Sequence, residues 1–180
     1  MPAAMPSPEI AAPEDHMRGA AAAALTIVEY GDLECPSCRQ AYPVVEHLLA
    51  DHPQQIRFVF RHFPQQEVHP HAQLAAEAVE AAGAQGRFWP YYEMLYTRPG
   101  EFSRATLRRY AEDLGLDLAR FEHDLDEHAW LPHVLENLEL GRRAGVRATP
   151  GFFLNGRLVD VSFGVQHLQD AVTAALRAPS

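Results

Sequence analysis

The fold can be worked out from four residues, Cys35-Pro36-Ser37-Cys38, which contain both cysteines of the 180-residue chain. The run before them, residues 25–30, is rich in β-branched and aromatic side chains, as is typical of a buried strand. The run after them, residues 40–52, carries apolar side chains at helical spacing. The pair therefore lies where a strand passes into a helix, with Cys35 at the N-cap and Pro36 at the first helical position.

This position favours redox chemistry. At a helix N-terminus, free backbone N–H groups and the positive end of the helix dipole stabilise a thiolate, here on Cys35. A redox dithiol needs one such sulfur to attack and a second, here Cys38, to resolve the mixed disulfide. A zinc site normally needs four ligands, and the chain has no second Cys-x-x-Cys. A structural disulfide across two residues would close almost no loop and would restrain little.

The amino-acid composition and the net charge exclude some classes of function. The chain has 24 acidic residues against 15 Lys and Arg, a net charge of −9, so it has no basic surface for nucleic acid or an anionic membrane. It has no apolar run long enough to span a bilayer, and residues 1–15 lack the Lys or Arg of a signal peptide. We therefore expect a cytoplasmic protein, or an exported one if a signal had been removed. In a reducing compartment, two close cysteines are more often catalytic than structural.

The first half of the chain predicts a βαβ unit. Residues 1–24, with several prolines among alanines, are expected to be a flexible lead-in, so that the ordered fold begins near Leu25. A strand over residues 25–30, a helix over residues 36–51 and a strand over residues 56–62 follow. Strand–helix–strand of this length predicts a right-handed unit with parallel strands.

Helical periodicity dominates the middle of the chain, with Ser103 as one predicted N-cap. The chain then returns to strand, because Asn155-Gly156 between two short apolar runs is a strong signal for a type I′ hairpin. A last helix is expected from about Val165 to Arg177. The predicted domain thus comprises residues 25–62 and 145–178, with a helical subdomain, residues 63–144, inserted between them.

This order, with Cys-x-x-Cys opening the first helix and an x-Pro just before the hairpin, resembles the thioredoxin fold. That is an α/β fold of βαβ and ββα units around a mixed central sheet. The helical insertion is similar to that of the DsbA-like branch, and the group that the chain most resembles is the stand-alone bacterial DsbA-like thioredoxin domains. These are related to the domains fused to some sodium/proton antiporters. The similarity covers about residues 15–178, and the matching segments are residues 28–38, 58–64, 68–72 and 149–156.

The resemblance implies a role for each matching residue. Cys35 would be the exposed nucleophile, and Cys38 the buried resolving thiol. Pro150 would be a cis-proline facing the disulfide, which would leave the backbone of Thr149 free to pair with an extended substrate. Glu29 matches a buried carboxylate that would take the proton from Cys38. The alternative for Glu29 is a carboxylate on a solvent-facing side of its strand, and strand alternation alone leaves this open.

The residues around the cysteines are expected to tune the pair. Position 37 is Ser where strongly oxidising relatives carry His, so its hydroxyl can donate to Cys35 but brings no positive charge. Position 34 is Glu where thioredoxins have an aromatic residue, and a carboxylate beside Cys35 disfavours the thiolate. Together with Pro36, Glu34 and Ser37 should give a less acidic Cys35 and a less oxidising disulfide.

The predicted function is a thiol-disulfide oxidoreductase that acts on proteins or peptides and uses no cofactor. Its redox partner would be a thioredoxin reductase-like enzyme, glutathione or a quinone-linked protein. A cytosolic location favours reduction or isomerisation, whereas the DsbA-like architecture favours oxidation. One alternative is a redox-switched peptide-binding or chaperone-like module that uses the groove beside Pro150. Another is a relative of the glutathione-dependent kappa-type isomerases, although these usually lack the second cysteine.

Three histidines, His62, His69 and His71, raise the question of a metal site with the two cysteines. Singly placed histidines are more often surface groups or polar groups of the core. A cis-proline opposite the thiols would also hinder the access of a metal. The prediction is therefore that these residues bind no metal.

Overall fold

A computed structural model of the protein describes residues 14–98 and 100–178. Within these residues, five strands form one mixed sheet, and seven helices pack around it. The strands are β1 (His16–Gly19), β2 (Leu25–Gly31), β3 (Ile56–His62), β4 (Gly151–Leu154) and β5 (Arg157–Val159). The helices are α1 (Pro36–Asp51), α2 (Ala72–Gly83), α3 (Phe88–Thr97), α4 (Arg104–Asp113), α5 (Leu118–Asp126), α6 (Leu131–Arg143) and α7 (Gln166–Arg177).

The strand order is β1-β3-β2-β4-β5. Strands β2 and β3 are parallel and are joined through α1, whereas β1, β4 and β5 each pair antiparallel to a neighbour. The five helices α2–α6 lie between β3 and β4 in the chain. This arrangement confirms the predicted fold class, a βαβ unit and a ββα unit around a mixed sheet with helices inserted between them.

The central strand β2 is buried along its whole length. Ile27 packs in the larger hydrophobic cluster with residues of α1, whereas Val28 and Tyr30 pack in a smaller cluster on the opposite face with residues from the end of α6. Since side chains alternate along a strand, Glu29 lies on the same face as Ile27. Helices cover both faces of the sheet, so neither face of β2 meets solvent, and only 2% of Glu29 is exposed. The solvent-facing alternative for Glu29 is therefore wrong.

Helix α6 packs directly against the second face of the sheet. A Cβ atom at Gly141 would lie 2.6 Å from the ring of Phe63 and 2.8 Å from the ring of Tyr30. A real Cβ atom does not approach a neighbouring ring this closely, so glycine is what lets this helix pack directly on the two rings.

The expectation that the ordered chain begins near Leu25 is wrong. Residues 16–19 form β1, which pairs antiparallel with β3 and extends the sheet by one strand. Just before it, Asp15 accepts two hydrogen bonds from the buried Arg61 of β3, at 2.9 and 2.7 Å. The carboxylate of Asp15 compensates the charge of the buried guanidinium of Arg61. Strand β1 supplies backbone hydrogen-bond partners for the edge of β3. Residues 1–13 lie outside the described residues, and the proposed division into domain and inserted subdomain stays a prediction.

The predicted hairpin and helix cap are confirmed. Asn155 and Gly156 both have positive φ, 47° and 78°, as a type I′ turn requires. The Asn155 side chain also accepts a hydrogen bond from the backbone N–H of Thr26 at 2.7 Å, which ties the hairpin to β2. Ser103 caps α4 by accepting from the N–H of Thr106. In the part of the chain that the structure describes, no helix is both long enough and apolar enough to cross a membrane.

Candidate active site

Cys35 is the N-cap residue of α1, as predicted. Its backbone is extended, with φ −71° and ψ 125°, and its carbonyl accepts the N–H of Arg39 at 3.1 Å to begin the helix. Pro36 follows at the first helical position, where no amide donor is needed. Cys38 lies one turn further on, packed in the larger hydrophobic cluster. The N–H of Asp32 points at the Cys38 sulfur at 3.5 Å.

The expectation of an exposed nucleophile is wrong in degree. Only 6% of Cys35 is accessible to solvent, compared with 1% of Cys38. The cause is the loop before β4, which crosses the dithiol and brings the carbonyl oxygen of Thr149 to 3.7 Å from the Cys35 sulfur. The Thr149–Pro150 bond in this loop is cis, as predicted. A substrate would therefore reach the Cys35 sulfur at the bottom of a depression rather than on an open surface.

The two thiols have opposite acidities. A hydrogen bond from the Cys38 thiol lowers the pKa of Cys35 to about 5 against the effect of burial, and the Thr149 side chain and the backbone amides of Cys38 and Ser37 lower it further. Burial raises the pKa of Cys38 well above its usual value, and the hydrogen bond to Cys35 and the charges of Glu29 and Cys35 raise it further. Near neutral pH the pair thus consists of a thiolate at Cys35 and a thiol at Cys38.

Glu29 lies in β2 beneath this pair. Burial raises the pKa of Glu29 to about 8, the negative charge of Cys35 adds to the rise, and the positive charge of Arg18 opposes it. Its cross-strand neighbours are Phe60 on one side and Phe152 on the other, so its surroundings are largely apolar. A carboxyl group with a pKa near 8 can both hold and release a proton at physiological pH.

A buried hydrogen-bond network around Asp32 was not predicted from the sequence. The first carboxylate oxygen of Asp32 accepts from the N–H of Glu34 at 2.8 Å. The second accepts from the N–H of Gln65 at 2.9 Å and lies 2.7 Å from Nδ1 of His69. The Gln65 side chain in turn accepts a hydrogen bond from the Thr149 hydroxyl at 2.9 Å. This network connects the turn before α1 to the loop that carries Pro150 and holds the two across the dithiol.

The surroundings of His69 favour its positively charged form. Burial opposes its protonation, but the hydrogen bond and charge of Asp32, together with the negative charges of Cys35 and Glu34, raise the pKa of His69. The sequence offered a signal, since His69 falls in one of the matching segments, residues 68–72, but its role could not be assigned without the contact to Asp32. His69 is thus a group beside the site that can carry a positive charge, which Ser37, within the Cys-x-x-Cys turn, cannot.

The structure does not bring the three singled-out histidines together. His71 donates its backbone N–H to the Glu34 carboxylate at 2.7 Å, and its ring lies 3.1 Å from the same group. His69 pairs with Asp32, whereas His62 is buried elsewhere against Glu80. The carboxylate expected to act on Cys35 is therefore engaged by His71. The tuning roles of Glu34, Pro36 and Ser37 stay predictions.

A cavity of about 600 Å³ opens beside the dithiol. One wall is formed by the loop before β4 and the other by the β5 strand and the segment that follows it. Apolar side chains contribute much of its lining, and Leu158 at its margin is 60% exposed. The lining residues include Ser37, Val146, Thr149, Pro150, Leu158 and Val161.

Comparison with known proteins supports this description. The family model described as thioredoxin matches residues 11–174 of the chain. A protein named Na(+)/H(+) antiporter NhaA 1, from Salinispora arenicola, is 47% identical over 161 residues, which are 89% of this chain and 24% of that protein. The chain thus spans about a quarter of the length of the curated relatives it matches.

Two solved structures show the same architecture. A thioredoxin-like oxidoreductase from Silicibacter pomeroyi DSS-3 superposes with a TM-score of 0.81 at 28% identity, covering 93% of this chain and 95% of that one. DsbA2 of Pseudomonas aeruginosa superposes with a TM-score of 0.70 at 26% identity, covering 92% and 96%. The resemblance to DsbA-like thioredoxin-fold oxidoreductases is confirmed, as is the link to antiporter-named proteins.

The unequal acidity of the two thiols can be measured directly. We expect the ultraviolet absorbance of the Cys35 thiolate to titrate with a midpoint at about pH 5, and the midpoint to rise in Cys38→Ala, because that change removes the largest stabilising hydrogen bond. Cys38→Ser keeps a hydrogen-bond donor, so its titration midpoint should lie between those of wild type and Cys38→Ala. In Cys35→Ala the remaining thiol should titrate above its ordinary value of 9.0. A Cys38 that titrates below Cys35 would reverse the assignment of nucleophile and resolving thiol.

The pKa of Glu29 predicts a pH-dependent stability. Folded Glu29 keeps its proton to about pH 8, whereas a glutamate in the unfolded chain loses it near pH 4.5. Its contribution to stability is therefore complete below pH 4.5 and is lost as the pH rises through 8. Glu29→Gln has no carboxyl group to ionise and does not lose this stability. The difference in free energy of unfolding between Glu29→Gln and wild type should therefore increase by up to about 1.4 kcal/mol per pH unit between pH 4.5 and pH 8.

Urea unfolding of the two reduced proteins at several pH values tests this. The Cys35 thiolate changes stability in the opposite direction, but it is present in both proteins, so its effect largely cancels in the difference. Parallel pH dependences for the two proteins would mean that Glu29 is already ionised at neutral pH and lacks the role assigned to it.

Proposed function

This chain belongs to the thioredoxin family, and we propose that it is an oxidoreductase that exchanges disulfides with protein substrates through Cys35 and Cys38. The observation that carries the proposal is the division of labour between the thiols. The pKa of Cys35 is lowered to about 5, whereas that of its partner Cys38 is raised well above its usual value. One sulfur is thus ready to attack, and the other keeps its proton until it is needed.

In the first step the Cys35 thiolate attacks one sulfur of a substrate disulfide. A bond forms between Cys35 and that sulfur, and the other substrate sulfur leaves as a thiolate. The helix N-terminus favours this step because it holds the attacking sulfur in its charged form. The product is a mixed disulfide in which Cys35 no longer carries a negative charge.

In the second step Cys38 must lose its proton and attack the Cys35 sulfur. The charge of Cys35 is one cause of the raised pKa of Glu29, so formation of the mixed disulfide lowers that pKa and favours the ionised carboxylate. Glu29 then becomes a base at the moment when Cys38 needs one. The second substrate thiol leaves, and the protein retains a Cys35–Cys38 disulfide. Two electrons have passed from the dithiol to the substrate, and the reverse sequence would oxidise a substrate dithiol.

The substrate would lie in the cavity beside the dithiol as an extended segment. The backbone of Thr149 adjoins the Cys35 sulfur, so a strand paired to this loop would present its own sulfur to Cys35. Leu158 and Val161 provide an apolar wall for a neighbouring substrate side chain. The partners that we propose are therefore unfolded or flexible protein segments with cysteines, rather than small disulfides alone. A cytoplasmic location would pair the protein with a thioredoxin reductase-like enzyme or glutathione, and an exported one with a quinone-linked oxidant.

Single cysteine variants test the two-step scheme. With a cysteine-containing peptide disulfide as substrate, Cys38→Ala should accumulate the mixed disulfide, because attack remains and resolution is lost. Cys35→Ala should form none and should lose disulfide exchange to the level of the buffer. The mixed disulfide is read by mass spectrometry of the intact protein, and exchange by the release of reduced peptide.

Glu29→Gln provides the matched control for the second step. It should form the mixed disulfide at a rate close to wild type but resolve it more slowly, since Cys38 then lacks its base. Peptide binding that persists in Cys35→Ala without any exchange in wild type would instead identify a binding module on this fold. A mixed disulfide on Cys38 in the wild-type protein would contradict the order of steps.

The reduction potential of the pair follows from the acidity of Cys35. Its pKa of about 5 lies between those of thioredoxin, ≈ 7, and DsbA, ≈ 3.5. Because a more stable thiolate makes the disulfide a stronger oxidant, we expect a potential between roughly −270 and −120 mV, measured by equilibration with glutathione.

Glu34→Gln should shift the reduction potential of the Cys35–Cys38 pair upward if the predicted tuning by Glu34 holds. An unchanged potential would assign Glu34 to holding His71 instead.

A further inference from the structure

Outside the active site, three histidines surround one buried carboxylate, that of Glu80 in α2. Nε2 of His16 lies 3.0 and 2.9 Å from its two oxygens. Nε2 of His62 lies 2.7 Å from one of them, and Nε2 of His133 lies 3.6 Å from the same oxygen. The four residues come from β1, β3, α2 and α6, so the fold assembles this cluster from positions far apart in the chain.

Three of these residues have the geometry of a metal site. The ligand atoms of His16, Glu80 and His133 all lie within 4.8 Å of one another. Zinc binds imidazole nitrogen and carboxylate oxygen at about 2.0–2.2 Å in tetrahedral sites, which places neighbouring ligand atoms roughly 3.3–3.6 Å apart. The separations of 2.9 and 3.6 Å between the histidine nitrogens and the Glu80 oxygens lie around this value. A small movement of side chains would suffice to coordinate an ion.

The electrostatics of the cluster call for a cation. Only 4% of the Glu80 side chain is exposed, and its carboxylate oxygens face the imidazoles of His16, His62 and His133. Within the described residues, the ion-pair partners of Glu80 are all histidines. A buried negative charge surrounded by weak bases is poorly compensated, and a divalent ion would compensate it.

The surroundings fix the ligands in place. The His16 ring stacks on Phe88 with a centroid distance of 3.5 Å. The two rings have room because a Cβ atom at Gly83 would lie only 3.3 Å from Phe88 and 3.5 Å from His16. His62 orients the Glu80 carboxylate from the buried side, as residues behind metal ligands commonly do. His16 and His133 keep 24% and 20% of their side chains exposed, which leaves an ion a route from solvent.

We propose that His16, Glu80 and His133 form a binding site for a divalent ion of the zinc type, with His62 as a positioning residue for Glu80. Two imidazoles and one carboxylate suit zinc, and they leave one tetrahedral position for water. The bound ion would join β1 to α2 and α6 and so hold the added edge strand against the helices. The site shares no residue with the dithiol site, so it does not depend on the proposed function.

Zinc titration by calorimetry tests the site. The protein carries Cys35→Ser and Cys38→Ser throughout, so that zinc has no dithiol to bind. We expect one zinc per chain, and a loss of affinity of at least about tenfold in His133→Gln and in His16→Gln, because even residues that only support a ligand commonly contribute that much. His128→Gln is the matched control, since His128 pairs with Glu77 of the same helix at 2.9 Å and lies outside the cluster. It should bind zinc like the parent protein.

Two further measurements separate loss of the zinc site from loss of folding. Circular dichroism confirms that each variant is folded, and His133→Gln is the safer change because His133 is partly exposed and makes a long contact. Cobalt bound in place of zinc should give the strong visible absorption of a four-coordinate ion, and this absorption should disappear in His133→Gln. No zinc uptake by the parent protein, or equal affinity in His133→Gln, would show that the cluster is only a hydrogen-bonded link between elements.

Discussion

The hydrogen bond from the Cys38 thiol to the Cys35 sulfur is the interaction on which the site depends. It is the largest cause of the low pKa of Cys35, and it exists only because one helical turn separates the two residues at the start of α1. The same contact raises the pKa of Cys38, so one interaction makes Cys35 the acidic thiol and keeps the proton on Cys38. The packing of β2, α1 and the loop before β4 keeps the pair nearly dry, which strengthens each of these effects.

Much of this arrangement could be predicted, because it depends on residues that are close in sequence or on strong local signals. A strand followed by Cys-Pro-Ser-Cys indicates the helix start, and Asn155-Gly156 indicates the hairpin. The position of Pro150 just before that hairpin and the position of Glu29 six residues before Cys35 came from the resemblance to DsbA-like domains. The burial of Glu29 could not be decided from alternation, since a strand covered on both faces has no solvent side.

The features that were missed all join distant segments. The strand β1 exists because its backbone completes β3 and because Asp15 reaches Arg61, 46 residues away. Asp32 contacts His69 across 37 residues, and Gln65 contacts Thr149 across 84. A polar residue gives no sequence signal of the partner that it will meet, because its local neighbours are the same whether it is buried or exposed. Such pairs became visible only when the topology placed their elements side by side.

The burial of Glu29 is a cost that the fold itself does not explain. Between Phe60 and Phe152 an apolar side chain would pack without any penalty for desolvation, and the folded protein has to keep the carboxyl group protonated to avoid that penalty. Residues that violate the rules of core packing are expected at functional sites, where stability is exchanged for chemistry. In the proposed mechanism, the charge of Cys35 accounts for this burial. While the thiolate is present, Glu29 holds its proton and adds little negative charge near the nucleophile. When the thiolate is consumed in a mixed disulfide, the proposed mechanism has the carboxyl group ionise and accept the proton of Cys38. A solvated carboxylate with an ordinary pKa would be ionised at every stage, and its permanent charge would oppose the thiolate that begins the reaction.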